Sequence, residues 1–197
     1  EQEKYFSKIN LNPLRLELDE EDMNSGLLPQ LESLGLKCAA VTSPIKLDIF
    51  HKTEFLEDSL YHLESANTIY YSKALKKFLS TNTDVHGLRQ MLEEFDPKKI
   101  SVWGGGGTRT SLMYVLPEAA QYSMRESLAI YLENDDPQVV VWAVGRKRHK
   151  NFPPLNWRPH TVVDLNYSDD SPGREYAVNI GAKYVSGEAM FKAQALK

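Results

Sequence analysis

Apolar and polar residues alternate along this chain in short blocks that predict strands and helices in turn. The continuous apolar run at 139–143 is typical of a strand that is covered on both faces of a sheet, and the stretch 161–165 is predicted to be another buried strand. Between such runs, apolar residues recur at helical spacing in stretches that end at glycines, as at Gly35 and Gly181. This alternation predicts an α/β fold with a largely parallel sheet in each half of the chain.

The same pattern gives bounds for the predicted elements. Strands are predicted at 14–18, 38–41 (buried), 66–71, 100–103, 119–123, 139–143, 161–165 and 184–185. Helices are predicted at 27–34, after Pro44, at 53–63, 84–92, 108–116, 125–132 and 173–180, and from Gly187 to the end of the chain. The stretch 73–77 is predicted to be a hairpin turn or loop and 151–159 a loop, and Asp96-Pro97 is the predicted boundary between two lobes.

Composition and charge narrow the function classes. The 197 residues are 42% hydrophobic and 25% charged, which is typical of a globular protein. The net charge of −4 gives no basic field for nucleic acid or an anionic membrane, and no apolar run is long enough to cross a bilayer. Cys38 is the single cysteine, and no cysteine and histidine residues have zinc-site spacing. We expect a cytoplasmic protein without a metal site, a nucleic-acid partner or a membrane segment.

A run of four glycines follows the predicted strand at 100–103 and precedes a predicted helix. A turn of this kind brings backbone N–H groups close to a phosphate, because no Cβ blocks the approach. The spacing of Gly104 and Gly106 matches the start of a dinucleotide fingerprint, although Arg109 stands where a third small residue is expected. The alternative is a flexible linker between two lobes, and the closely flanking strand and helix favour a cofactor loop.

Lysine and aspartate side chains follow predicted strands or turns in the first half of the chain. Lys46 comes after the strand at 38–41, and Asp84 follows a Thr-Asn-Thr turn. Ligands of open α/β sheets bind beyond the ends of strands, and a lysine held by a carboxylate can donate a proton. Taken singly, Lys46 is more simply interpreted as a surface lysine and Asp84 as a helix cap.

Taken together, these residues belong to an ordered set of motifs that resembles the shikimate dehydrogenase family. The motifs are Val-Thr-x-Pro-x-Lys at 41–46, Ala-Asn-Thr at 66–68, Asn-Thr-Asp-x-x-Gly at 82–87, Gly-x-Gly-Gly at 104–107, Asp-x-x-Tyr at 164–167 and Gly-x-x-Met-x-x-x-Gln-Ala at 187–195. The resemblance covers the chain from about Leu14 to its last residue. It implies an N-terminal α/β substrate-binding lobe over 1–96, a Rossmann-like NADP-binding lobe over 97–186, and a C-terminal helix over 187–197 that packs back on the first lobe.

The resemblance also implies a reaction and its catalytic pair. The family reduces 3-dehydroshikimate to shikimate with NADPH, in the biosynthesis of aromatic amino acids. Lys46 would donate a proton to the carbonyl oxygen, and Asp84 would hold both Lys46 and a substrate hydroxyl. The remaining substrate-binding residues implied by the motifs are Thr42, Asn67, Tyr167 and Gln194.

Residues for the cofactor come partly from the motifs and partly from physical argument. The motifs imply contacts from Gly104, Gly106, Gly107, Thr108, Leu165, Gly187 and Met190. NAD-binding proteins end the second strand of the fold with an acidic residue, whereas Ser123 and Arg125 stand in that region here and suit a 2′-phosphate. Arg109 could also reach a phosphate. These residues favour NADP over NAD.

Some features depart from the family pattern and leave alternatives open. The family's Ser-x-Ser motif, which grips the substrate carboxylate, has no match and would be expected before Tyr5. We therefore expect the first lobe to be N-terminally incomplete, and we expect the chain to be one module of a longer, fused polypeptide. A quinate or quinate/shikimate dehydrogenase is one alternative, and a non-catalytic relative such as a fungal quinate-pathway repressor is another. Retention of Lys46 and Asp84 favours an enzyme, whereas the altered glycine loop favours a binding module.

Overall fold

The chain folds into two sheets with helices packed against them. The computed structural model describes residues 14–18, 21–22, 26–42, 44–145 and 151–196. Its helices are α1 (Leu27–Ser33), α2 (Lys46–Lys52), α3 (Asp84–Leu92), α4 (Arg109–Val115), α5 (Pro172–Ile180) and α6 (Glu188–Leu196). Its strands are β1 (Cys38–Ala40), β2 (Glu54–Phe55), β3 (Thr68–Ser72), β4 (Lys77–Thr81), β5 (Ile100–Gly104), β6 (Ala120–Ser123), β7 (Leu128–Tyr131), β8 (Val139–Ala143), β9 (Thr161–Asp164) and β10 (Lys183–Ser186).

The first sheet has the strand order β1-β3-β4-β2 and is mixed rather than largely parallel. Strands β1 and β4 both run antiparallel to β3, and only β2 runs parallel to its neighbour β4. The turn at 73–76 joins β3 directly to β4, and a connection this short can join only antiparallel strands. The prediction of a parallel sheet in this lobe was therefore wrong, while the predicted turn at 73–77 is confirmed.

The second sheet has the order β10-β9-β8-β5-β6-β7 and is parallel except for β7 at its edge. Apolar side chains of α3, α4 and α6 cover one face. The other face is covered by α5 and by aromatic residues that include Trp157 from the 151–160 loop. Both faces are buried, which explains the continuous apolar run in β8. The predicted two-lobed α/β fold with a Rossmann-like second sheet is confirmed.

The predicted helix at 125–132 is wrong, because β7 occupies this stretch and pairs antiparallel with β6. Leu128, Ile130 and Leu132 lie two positions apart, which is the period of a strand. Ser127 has φ +55°, a left-handed conformation that closes the turn between the two strands. A hairpin thus replaces the expected helix.

Other predicted elements in the first lobe also need correction. Stretch 53–63 is not a helix, because β2 pairs with β4 and a 3₁₀ helix follows at Asp58–Leu63. Residues 14–18 form no strand, since they pair with no neighbouring strand among the described residues. Strand β1 exists but lies at the sheet edge, so Cys38 is exposed rather than buried. Strand β4 was not predicted at all.

Helix α6 returns from the second sheet to pack along α3, which begins at the first lobe. Gly87 permits this contact, because a Cβ there would lie 2.7 Å from the Met190 carbonyl oxygen and 2.9 Å from Gln194 Cγ. The predicted return of the C-terminal helix is confirmed. Within the described ranges, no helix has the length and apolar character needed to cross a membrane.

Candidate functional site

A buried ion pair joins the first residues of α2 and α3. Lys46 Nζ donates to Asp84 Oδ2 over 2.6 Å, and the two side chains are only 13% and 8% exposed. Residues 38 positions apart in the sequence thus form a direct contact. Nearly complete removal from water strengthens the attraction between the two charges compared with a surface pair.

The second oxygen of Asp84 accepts hydrogen bonds from two further predicted residues. Asn67 Nδ2 donates to Asp84 Oδ1 over 2.8 Å, and Gln194 Nε2 donates to the same oxygen from α6. The Asn67 side chain is itself fixed, because its Oδ1 accepts from the Thr83 backbone N–H at 2.8 Å. The structure therefore brings together Lys46, Asp84, Asn67 and Gln194 around one carboxylate.

Asn82 sets the position of Asp84 at the start of α3. Its Oδ1 accepts from the backbone N–H groups of Asp84 (3.0 Å) and Val85 (3.4 Å), and its Nδ2 donates to the Ser65 carbonyl over 2.8 Å. Such capping satisfies N–H groups that have no acceptor inside the helix. Asn82 and Thr83 were not predicted as site residues, although an asparagine just before a helical pattern is the usual signal of a cap.

Backbone pairing brings the remaining parts of the first lobe to this carboxylate. The Val41 N–H donates to the Asn67 carbonyl over 2.6 Å, and the Ala66 N–H donates to the Lys46 carbonyl over 3.1 Å. These bonds hold the segment after β1, the start of α2 and the segment before β3 side by side. Thr42 is exposed beside Val41, and among the described residues it makes no hydrogen bond to the ion pair.

The glycine run lies at the carboxyl end of β5 and contains three residues with positive φ. Gly104, Gly105 and Gly106 have φ of +92°, +137° and +48°. A Cβ at Gly104 would lie 2.5 Å from Val144 Cγ2, so this glycine is required by packing. A Cβ at Gly106 would meet no atom within 4 Å, so open space lies in front of this backbone. This open turn fits a dinucleotide phosphate group.

The other predicted cofactor residues lie near the same sheet edge. Gly107 and Thr108 continue the turn, and Arg109 begins α4 with an exposed side chain. Ser123 ends β6, which pairs with β5, and Arg125 is exposed in the turn that follows. The carboxyl ends of neighbouring parallel strands thus bring both groups to one edge, which is where open α/β sheets bind ligands.

Close backbone contact joins Leu165 to Gly187. A Cβ at Gly187 would lie 2.6 Å from the Leu165 carbonyl oxygen, and the Gly187 N–H donates to the Asn166 carbonyl over 3.0 Å. Met190 is buried one turn further along α6, against Gly87. Tyr167 is 65% exposed, and its ring lies 5.1 Å from that of Phe191 on α6 rather than against the ion pair.

Asp164 anchors the segment that precedes Tyr167. Its buried carboxylate accepts from the Asn166 backbone N–H (2.9 Å), from Asn166 Nδ2 (2.8 Å) and from the Tyr184 hydroxyl (3.2 Å). Burial, together with the negative charge of Asp164, raises the pKa of Tyr184 to about 12. The hydroxyl therefore stays protonated and remains a donor at neutral pH.

Comparison with known proteins gives a consistent result. No family model matches the chain. The chain is 29% identical to a quinate dehydrogenase of Emericella nidulans over 127 residues, which cover 59% of this chain but only 37% of that protein. It is 26% identical to the shikimate dehydrogenase (NADP(+)) of Aquifex aeolicus over an alignment of 220 positions, which covers 98% of this chain and 80% of that protein. The fold is similar to that of the solved shikimate dehydrogenase 1 of Peptoclostridium difficile, with a TM-score of 0.73 and 18% identity over 97% of this chain and 82% of that one.

Proposed function

We propose that this chain, which belongs to the shikimate dehydrogenase family, is an oxidoreductase that reduces 3-dehydroshikimate to shikimate with NADPH. The observation that carries the proposal is the buried pair of Lys46 and Asp84. Asn67 and Gln194 come from separate elements and donate to the same oxygen of Asp84, so polar groups from distant parts of the chain converge on the pair.

Lys46 is the proposed general acid. Bound NADPH would supply the hydride that is added to the C3 carbonyl carbon of the substrate. Lys46 Nζ gives a proton to the oxygen of this C3 carbonyl, so that a hydroxyl forms and the lysine amine is left neutral beside the Asp84 carboxylate. A proton from water then restores the ammonium. Asp84 orients Nζ throughout and accepts a hydrogen bond from a second ring hydroxyl.

The polar groups around the pair are proposed to bind the substrate ring. Gln194 donates one amide N–H to Asp84 and has a second N–H and its Oε1 to offer a ring hydroxyl. Asn67 Nδ2 already donates to Asp84 and Thr83, so Asn67 would exchange one of these bonds for a bond to a ring hydroxyl. Thr42 and Tyr167 have exposed side chains and complete the proposed substrate set. A polyhydroxylated carboxylate needs several fixed donors and acceptors, because its hydroxyls are otherwise bound to water.

The glycine turn and the residues after β6 are proposed to hold NADP. The turn from Gly104 to Gly107 with Thr108 would take the pyrophosphate, while Ser123, Arg125 and Arg109 would take the 2′-phosphate and neighbouring charge. Arginine is suited to phosphate because its guanidinium donates two parallel hydrogen bonds. Leu165, Gly187 and Met190 would lie against the nicotinamide.

A turnover assay with matched lysine variants tests the proposal. We expect NADPH oxidation in the presence of 3-dehydroshikimate, and a kcat at least about a hundredfold lower for Lys46→Ala. Lys52→Ala removes an exposed lysine from the same helix and should retain full activity. Absence of turnover in the unaltered protein, or equal kcat for both variants, would refute the catalytic assignment.

Quinate is the second candidate substrate, because one relative of the chain is a quinate dehydrogenase. Shikimate and quinate share the ring hydroxyls that the Asp84 cluster is proposed to bind, so both can be assayed in the oxidative direction with NADP. A kcat/KM for quinate that exceeds the value for shikimate would reverse the proposed preference.

A further inference from the structure

Asn151 ties the turn after β6 to the strand that leads into the glycine run. Its backbone carbonyl accepts from Trp103 Nε1 on β5 over 3.1 Å. Asn151 Nδ2 donates to the carbonyl oxygens of Met124 (3.0 Å) and Arg125 (3.4 Å). A single residue therefore connects β5 with the turn that carries the proposed 2′-phosphate contacts.

The loop that carries Asn151 is held firmly against the sheet. Trp157 is 1% exposed, and its ring meets those of Tyr122 and Trp103 edge to face, with centroids 4.8 and 6.2 Å away. Tyr122 belongs to β6 and Trp103 to β5, so the anchor is formed by the same two strands. Asn151 is thus joined to a rigid base, which a residue needs if it is to fix the position of another segment.

The turn itself is held by two hydrogen bonds and by the buried side chain of Met124. Ser123 Oγ accepts from the Glu126 N–H over 3.3 Å, and the Ser123 carbonyl accepts from the Ser127 N–H over 2.7 Å. Arg125 lies between these bonds with an exposed side chain and a backbone carbonyl held by Asn151. The amide of Asn151 also satisfies two carbonyl oxygens whose partial negative charge would repel a phosphate group if they turned toward it.

We propose that Asn151 is a positioning residue that sets the preference for a 2′-phosphate over a 2′-hydroxyl by fixing the turn from Ser123 to Arg125. This inference rests on the proposed use of NADP. It assigns cofactor discrimination to a loop residue outside the family motifs, in a chain where a β-hairpin stands in place of the predicted helix after β6.

Binding of two nucleotide fragments tests this role without turnover. The probes are 2′,5′-ADP, which carries a 2′-phosphate, and 5′-AMP, which has the same 5′-phosphate and a free 2′-hydroxyl, each titrated calorimetrically. Asn151→Ala and the equally sized Asn151→Asp both lose the amide donor but keep the backbone bond to Trp103. We expect each variant to bind 2′,5′-ADP about tenfold more weakly while its affinity for 5′-AMP changes less than about twofold.

Two further variants separate positioning from general loss of structure. Asn151→Gln keeps an amide donor and should recover part of the affinity for 2′,5′-ADP. Asn156→Ala removes an exposed asparagine from the same loop and should leave both affinities unchanged. Equal losses of affinity for both probes, or unchanged 2′,5′-ADP binding in Asn151→Ala and Asn151→Asp, would overturn this inference but not the proposed use of NADP. If the unaltered protein does not prefer 2′,5′-ADP to 5′-AMP, the proposed use of NADP fails and the inference falls with it.

Discussion

Lys46 Nζ and Asp84 Oδ2 lie 2.6 Å apart, and their side chains are only 13% and 8% exposed. The pair joins α2 to α3 and stands where the first lobe meets α6. Removing one partner from such a pair leaves an isolated charge away from water, which costs more than the pair itself contributes.

Asp84→Asn should lower both stability and activity. The amide has no charge to offset the Lys46 ammonium, so we expect the free energy of unfolding to fall by about 2–4 kcal/mol. We expect kcat to fall by about a hundredfold or more, because Nζ is no longer oriented. Urea unfolding and steady-state kinetics measure the two effects.

A surface pair and a double variant provide the controls for Asp84. Glu54→Gln removes one partner of the exposed Lys77–Glu54 pair and should cost less than about 1 kcal/mol. Lys46→Met combined with Asp84→Asn removes the isolated charge, so it should recover stability but not activity. If the double variant recovers turnover, the pair has only a structural role.

Gly87→Ala should displace α6 from α3. The new Cβ would lie 2.7 Å from the Met190 carbonyl oxygen, a backbone atom that cannot move alone. We expect a loss of about 1–3 kcal/mol in urea unfolding. We also expect a lower kcat, since Gln194 Nε2 is shifted from Asp84.

Gly145→Ala is the matched control for Gly87. A Cβ at Gly145 would meet no atom within 4 Å, and its φ is not positive, so stability should be unchanged. A Gly87→Ala protein as stable and as active as the Gly145→Ala protein would show that the helices can separate without cost.

The sequence was most informative where the hydrophobic pattern and the motifs agreed. The apolar run at 139–143 predicted β8 because a strand covered on both faces has few polar positions. The spacing in 84–92 predicted α3 because one face of this helix is buried. The assignment of the Lys46 and Asp84 roles came from the family resemblance, since Lys46 alone resembled a surface lysine and Asp84 alone a helix cap.

Prediction failed where distant partners decide the structure. The stretch 125–132 has helix-forming residues, yet pairing with β6 makes it a strand. The pairing of β2 with β4 likewise could not be read from residues 53–63 alone. Asn151 was overlooked because its role depends on Trp103, which lies 48 positions away in the sequence.

Gly104→Ala should mainly lower the stability of the fold, whereas Gly106→Ala should mainly weaken the binding of NADPH. At Gly104 the Cβ would lie 2.5 Å from Val144 Cγ2, so we expect a loss of about 1–3 kcal/mol in thermal or urea unfolding. At Gly106 the Cβ enters open space, and the positive φ costs only about 1 kcal/mol.

For Gly106→Ala we expect weaker binding of NADPH, by about tenfold in calorimetric titration, because the methyl group fills the space proposed for the pyrophosphate. Binding of NADPH that is unchanged in a folded Gly106→Ala protein would contradict the assignment of the glycine turn. The Gly104→Ala protein serves as the comparison in which folding, rather than ligand contact, is affected.

Tyr184→Phe should lower the free energy of unfolding at neutral pH, whereas Tyr176→Phe should leave it unchanged or raise it. Both variants should lose less stability in alkali than the unaltered protein. The Tyr184 hydroxyl donates to Asp164, so its removal should cost about 1 kcal/mol. The buried Tyr176 hydroxyl has no hydrogen-bond partner within the part of the chain that the structure describes. Its removal should therefore be neutral or stabilising by up to about 1 kcal/mol.

Burial raises the pKa of both tyrosines from 10.0 to about 12. A raised pKa means that the folded state holds the tyrosine proton more tightly than the unfolded chain does. The resulting contribution to the free energy of unfolding is complete below pH 10 and is lost as the pH rises through about 12. Each Phe variant lacks one such group, so it should lose less stability than the unaltered protein between about pH 8 and about pH 11. Urea unfolding at the two pH values measures the difference, and equal losses in all proteins would show that neither hydroxyl has a raised pKa.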